Sequence, residues 1–149
     1  MINLQNLHKV SLDTNIFICA LNEKDPRKAE ARQIFEQIKE NHLGTYISVL
    51  VLEEFFIRVY RQGQEKETAS ILDFISLDGL TNILDMNKEI ALLAAKLRAE
   101  YSSLRTPDAI HLASAISAGA NTFITTDRRI PRKIKGLKVI VLLKLMRKS

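Results

Sequence analysis

The stretch KVSLDTNIFICALN, Lys9 to Asn22, decides the fold. It is an apolar run with one carboxylate, Asp13, set where a buried strand gives way to a turn. Burying an unpaired carboxylate costs several kcal/mol, about 3 to 5 when a partner is removed. Asp13 therefore requires a hydrogen-bonded cap, a basic partner or a metal ion.

Outward from that strand, short apolar runs alternate with helical patterns, and no internal repeat or linker interrupts them. The alternation predicts one α/β domain with a mainly parallel central sheet flanked by helices. KVSL (9–12), TYIS (45–48), TNILDM (81–86), TFITTD (122–127) and KVIVLL (138–143) read as strands. PRKAEARQIFEQIKEN (26–41) reads as a helix with Pro26 in its first turn and Asp25 as cap. VLVLEEFFIRVYRQ (49–62) places Leu52, Phe55, Phe56 and Val59 on one helix face, and QEKETASILDFISL (64–77) gives another helix. NKEIALLAAKLRAEY (87–101) opens on Asn87 with Glu89 in its first turn. TPDAIHLASAISAGA has Thr106 as N-cap, Pro107 at the first helical position, apolar residues around most of its circumference and Gly119 as its end.

At 149 residues, with 46% hydrophobic and 26% charged, the chain has the composition of a folded domain rather than a disordered or fibrous one. Cys19 is the single cysteine, read as a small buried apolar residue. One thiol cannot close an internal disulfide, which fits a reducing compartment. No apolar run approaches the ~20 residues that span a bilayer, and MINLQNLHKVSLD lacks the pattern of a signal peptide. Cytoplasmic localisation without membrane association is the expectation. Residues 1–127 hold 13 Lys/Arg against all 17 Asp/Glu, whereas 128–149 hold 9 Lys/Arg and no acid. This asymmetry points to an anionic partner such as nucleic acid, or to a solvated basic end with no partner.

Ligands of open α/β sheets sit beyond the carboxyl ends of the strands. Asp13 and Asp127 each end a predicted strand, Asp108 lies in the first turn of a buried helix, and Glu54 lies early in the helix that follows strand 45–48. Each has an ordinary explanation. Asp13 can cap a helix, Asp108 can complement a helix dipole, Glu54 can pair with Arg58, and Asp127 can be a turn residue. Together they can form one acidic cluster. Two like charges ~5 Å apart repel by roughly 3 kcal/mol at an effective dielectric of 20. A divalent cation reverses that penalty, and all-oxygen donors with no zinc-spaced Cys or His select Mg²⁺ or Mn²⁺. His111, three residues after Asp108, is read as a packed, hydrogen-bonded residue rather than a ligand. His8 and His42 are assigned to the surface, and Phe55 and Phe56 to the core or a dimer contact.

The segments VSLDTNIFICAL, ISVLVLEEFFI, LRTPDAIHLASAI and FITTDRRI, in that order, resemble the four acidic motifs of PIN-domain ribonucleases, and within them the VapC-type toxins of toxin–antitoxin pairs. The likeness runs over residues 9–143, leaving 144–149 as a basic C-terminal tail of a single PIN-like domain. It implies that Asp13, Glu54, Asp108 and Asp127 form a metal-binding catalytic cluster, supported by Asn15 and Thr125. It also implies a Mg²⁺- or Mn²⁺-dependent endoribonuclease that leaves a 5′ phosphate and a 3′ hydroxyl. The partners implied are an RNA substrate, a second copy in a homodimer, and an antitoxin whose peptide segment blocks the site. Glu54 is preferred to Glu53 because it aligns with the polar Arg58 and Arg61. Where relatives carry a further acid after the last motif, this chain has RRIPRK. Arg128, Arg129, Arg132 and Lys133 become candidates for steering the RNA backbone. The rival from another class is a catalytically silent protein of this fold that binds RNA or a partner. A phosphatase starting from Asp13 would need a second aspartate at position 15, where Asn15 stands, and no glycine-rich nucleotide motif occurs.

Overall fold

A strand that is apolar on both sides needs cover on both sides, and the topology supplies it. The computed structural model describes residues 2–143; the predicted basic tail 144–149 lies outside them. In chain order the elements are β1 (Lys9–Leu12), α1 (Thr14–Leu21), α2 (Lys28–Glu40), β2 (Gly44–Ser48), α3 (Leu50–Arg61), a 3₁₀ turn (Glu65–Glu67) and α4 (Thr68–Ser76). Then follow β3 (Thr81–Leu84), α5 (Lys88–Glu100), α6 (Thr106–Ser117), β4 (Thr122–Thr125), β5 (Lys133–Ile134) and β6 (Leu137–Val141). The strands form one sheet in the order β3-β2-β1-β4-β6-β5, parallel except for β5. The α/β architecture read from the sequence is the one observed.

Alternate residues of the strands feed two cores. Leu12, Ile47 and Ile124 pack with α1–α4 on one face, while Phe123, Val139 and Val141 pack with α5 and α6 on the other. Helix α6 is buried continuously from Ala109 to Ala115, as its all-round apolar sequence requires. Asn87 caps α5 by accepting from the Ile90 N–H at 2.9 Å, and Gly119 takes the left-handed backbone just past α6, φ +76°. No described helix is long and apolar enough to cross a membrane.

The differences from the sequence reading are local. The first strand runs straight into α1, a helix to which that reading gives no bounds, only Asp13 as a possible cap. Helix α2 begins at Lys28, so Pro26 lies outside it. Asp25 instead accepts from the Arg27 N–H and guanidinium in the turn before the helix. Arg105, not Thr106, stands at the cap of α6; the Thr106 hydroxyl accepts from Arg98. Strand β4 ends at Thr125, two residues before Asp127, and the short strand β5, to which the sequence reading gives no element, begins at Lys133, the last residue of RRIPRK.

β1 lies between β2 and β4, strands that leave it in opposite directions across the sheet. That is the switch point where such sheets open a crevice at the strands' carboxyl ends. Asp13 sits there.

Candidate active site

Asp13 follows β1 directly and caps α1, with its Oδ1 accepting from the Thr14 N–H at 2.8 Å. Its Oδ2 accepts from the Thr125 hydroxyl at 2.7 Å and from Asn15 Nδ2 at 3.3 Å. Asn15 Oδ1 accepts in turn from the Thr126 N–H, and the Asp127 N–H donates to Thr125 Oγ1 at 3.0 Å. Asn15 and Thr125, the two residues expected as supports, thus tie the end of β1 to the end of β4 through Asp13.

The opposite wall comes from α3 and α6. Glu54 Oε1 accepts from the Thr14 hydroxyl at 2.9 Å and lies 2.5 Å from His111 Nε2. That nitrogen is also 3.9 Å from Asp13 Oδ1. Glu53 is exposed and Glu54 half-buried, so Glu54 is the member of the pair that faces the other acids. Its partners are Thr14 and His111, not Arg58. Asp108 Oδ2 accepts from the Arg105 N–H at 2.9 Å in the first turn of α6. Asp127 is forked by Arg129, from Nε to Oδ1 at 3.0 Å and from Nη2 to Oδ2 at 2.5 Å. Three of the four ordinary roles therefore exist: cap, helix-start acceptor and turn residue. Yet all four carboxylates line one cleft of about 300 Å³, together with Thr14, Asn15, Arg105 and Arg129.

Electrostatics sorts the four. Burial pushes the Asp13 carboxyl above its ordinary value, with the nearby Glu54 charge adding to the effect; His111, the Thr125 hydroxyl and the Thr14 N–H oppose it. Burial also acts to raise Glu54, but the bond and charge of His111 and the Thr14 hydroxyl outweigh it and hold Glu54 below the usual carboxylate range. Burial disfavours a charged His111, yet the bond to Glu54 and the charges of Asp13, Glu54 and Asp108 prevail, so the imidazole holds its proton more tightly than usual. Asp127 is lowered first by the Arg129 fork.

Among the described residues no three His, Cys, Asp or Glu side chains are gathered around one point as metal ligands. The reason is visible in the partners: His111 and Thr14 hold Glu54, the Arg105 N–H holds Asp108, and Arg129 holds Asp127. The donor chemistry still fits a hard cation. The carboxylates are oxygen donors opening onto one cleft, and Mg²⁺ needs only one or two of them because it keeps several waters.

The basic candidates divide. Arg128, Arg129, Arg132 and Lys133 are all exposed. Arg129 turns back into the cleft, while β5 pairs Lys133 with Lys138, which is level with Thr122 at the start of β4. Lys133 thus lies toward the amino-terminal edge of the sheet, away from the acids. His8 and His42 are at the surface. Cys19 is buried, and burial pushes its thiol up to about 11.

Residues 10–136 match the PIN domain family. The chain belongs to that family. No curated protein sequence matches this PIN domain. Among solved structures, a toxin–antitoxin complex from Klebsiella pneumoniae contains a chain that superposes with a TM-score of 0.69 at 27% identity, over 91% of this chain and 99% of that one. VapBC2 from Rickettsia felis, bound to a DNA fragment from its promoter, matches at 0.70 and 23% identity, over 89% and 98%. VapC20 from Mycobacterium tuberculosis, a toxin that cleaves the sarcin–ricin loop, matches at 0.59 and 15%, over 76% and 86%; at these identities the last two share the fold.

His111 is what the sequence reading undervalued. Its burial and hydrogen bonding were expected, but its place between two site carboxylates was not. The signal was in TPDAIH: positions 108 and 111 share a helix face.

Proposed function

We propose that this PIN domain is a divalent-cation-dependent endoribonuclease, the toxin component of a toxin–antitoxin pair, acting in the cytoplasm. One observation carries the reading: four carboxylates from four separated segments open onto one cleft at the switch point of a parallel sheet. Capping needs account for single acids and not for their meeting.

Asp13, Glu54, Asp108 and Asp127 are the residues that would hold Mg²⁺ or Mn²⁺. Such an ion, when bound, supplies positive charge to a phosphodiester and activates water for in-line attack. The chain's own residues prepare the place. Thr14, Asn15 and Thr125 fix the Asp13 carboxylate at the strand end, and His111 lets Glu54 stay charged beside it. Arg128 and Arg132, exposed and followed by no acid, draw an RNA backbone toward the cleft. A groove lined by Leu21, Phe55, Val59, Ile71 and Arg58 shares Ile18 with the cleft, which suits an antitoxin segment that runs on into the site. The similarity to a chain of the Klebsiella pneumoniae complex supports that partner. A second copy of the chain completes the proposed assembly.

The test is incubation with a panel of structured RNAs in Mg²⁺ or Mn²⁺, with Asp13→Asn and Asp108→Asn alongside. Cleavage should require the ion and fall by more than about 100-fold in either variant, the scale on which losing a charge-stabilising group acts. Cleavage that is indifferent to the ion or to both substitutions overturns the mechanism. Tight RNA binding without cleavage points to the catalytically silent alternative.

A further inference from the structure

Arg129 sits in an acidic cleft with the opposite charge. Its guanidinium takes both oxygens of Asp127, and its own N–H donates to Oδ1 at 2.9 Å as well. The clamp closes over two residues, so it needs no tertiary packing. Asp25 and Arg27 repeat it, with the N–H and Nε on Oδ1 at 2.9 Å each and Nη2 on Oδ2 at 2.8 Å. The fork is thus a property of an Asp-x-Arg turn, and at Asp127 this turn has been placed on the wall of the cleft.

An arginine there changes what the cleft can hold. The lone pairs that a cation would use on Asp127 already accept three N–H donors. Among the described residues no fifth carboxylate lines the cleft to replace it, and no Asp or Glu follows Asp127 in the chain. Four carboxylates line the cleft together with Arg105 and Arg129.

We propose that Arg129 is a built-in counter-cation at Asp127, standing where a second divalent ion would bind, so that each chain takes up one such ion. The inference rests on the reading of the cleft as a cation site. Arg129 is then a positioning residue: its fork holds the Asp127 carboxylate in place on the wall of the cleft.

Mn²⁺ binding measures this without RNA. Isothermal titration and the Mn²⁺ spin-resonance signal give the number of ions per chain for the wild type, Arg129→Gln, Arg129→Lys and Arg27→Gln. The wild type should bind one ion and Arg129→Gln two. Arg129→Lys, which keeps the charge, should stay at one, as should Arg27→Gln, which removes the same fork at a turn that does not line the cleft. Two ions in the wild type, or an Arg129→Gln isotherm that superposes on it, overturns the role of Arg129. If instead the wild type binds no Mn²⁺, or Asp13→Asn binds it equally well, the cation site itself is refuted and the inference falls with it.

Discussion

His111 is 2% exposed and stands between two carboxylates, one 2.5 Å and the other 3.9 Å from its Nε2. Without it, Glu54 would keep only the Thr14 hydroxyl, and the buried Asp13 charge would lose its nearest positive neighbour. Hydrogen bonds to charged groups contribute about 1.5 to 3 kcal/mol, so His111→Ala should lower stability by at least that amount. His111→Gln, which keeps a donor near Glu54, should lose less. Urea unfolding in the presence of a chelator checks both; equal loss in the two variants means that His111 acts through packing alone. Its Nδ1 and the Ser114 hydroxyl, one turn further on, are buried without protein partners. Buried polar atoms in that situation are commonly met by an ordered water.

At the scale of elements, caps explain both what the sequence made legible and what it hid. Asn87 was readable as the start of α5 because its side chain can bond only to the turn that follows. Asn87→Ala should cost about 1 kcal/mol, the usual loss for a cap, with no change in RNA cleavage or Mn²⁺ binding; the urea midpoint and the Mn²⁺ titration test the two halves. Where a polar residue had two possible partners, the sequence could not choose. Thr106 reads as a cap, but Arg98 takes its hydroxyl. Pro26 reads as a first-turn proline, but the Asp25–Arg27 fork holds the chain in a turn there and delays α2 to Lys28. Strand β5 was hidden because two residues carry no periodicity and their pairing depends on β6. The four acids were legible by position, as each lies close after a strand or within the first two turns of a helix. Their internal partners were not, because Glu54 and His111 are 57 residues apart in the chain and meet only through packing.

For the whole molecule, the proposed cation links those segments. An ion that binds the folded chain and not the unfolded one stabilises it by about 2.7 kcal/mol at one hundred times its dissociation constant. Thermal unfolding should therefore shift upward as Mn²⁺ is added, return when EDTA removes it, and stay flat in Asp13→Asn. A shift of equal size in that variant would mean that the ion binds elsewhere. The cleft also depends on the sheet order, since β1 pairs with β4 although about three quarters of the chain lies between them.

That pairing sets when the cleft can exist at all. The bond between Thr125 and Asp13 closes across 112 residues, so a ribosome synthesising this chain releases α1 through α5 long before the last wall can arrive. From residue 54 to residue 126, about half of translation, the nascent polypeptide has Asp13 and Glu54 but no Asp127 beside them. An enzyme of the proposed kind would thus be harmless to the machinery making it until the final strands emerge, and a truncated product would carry no cutting edge.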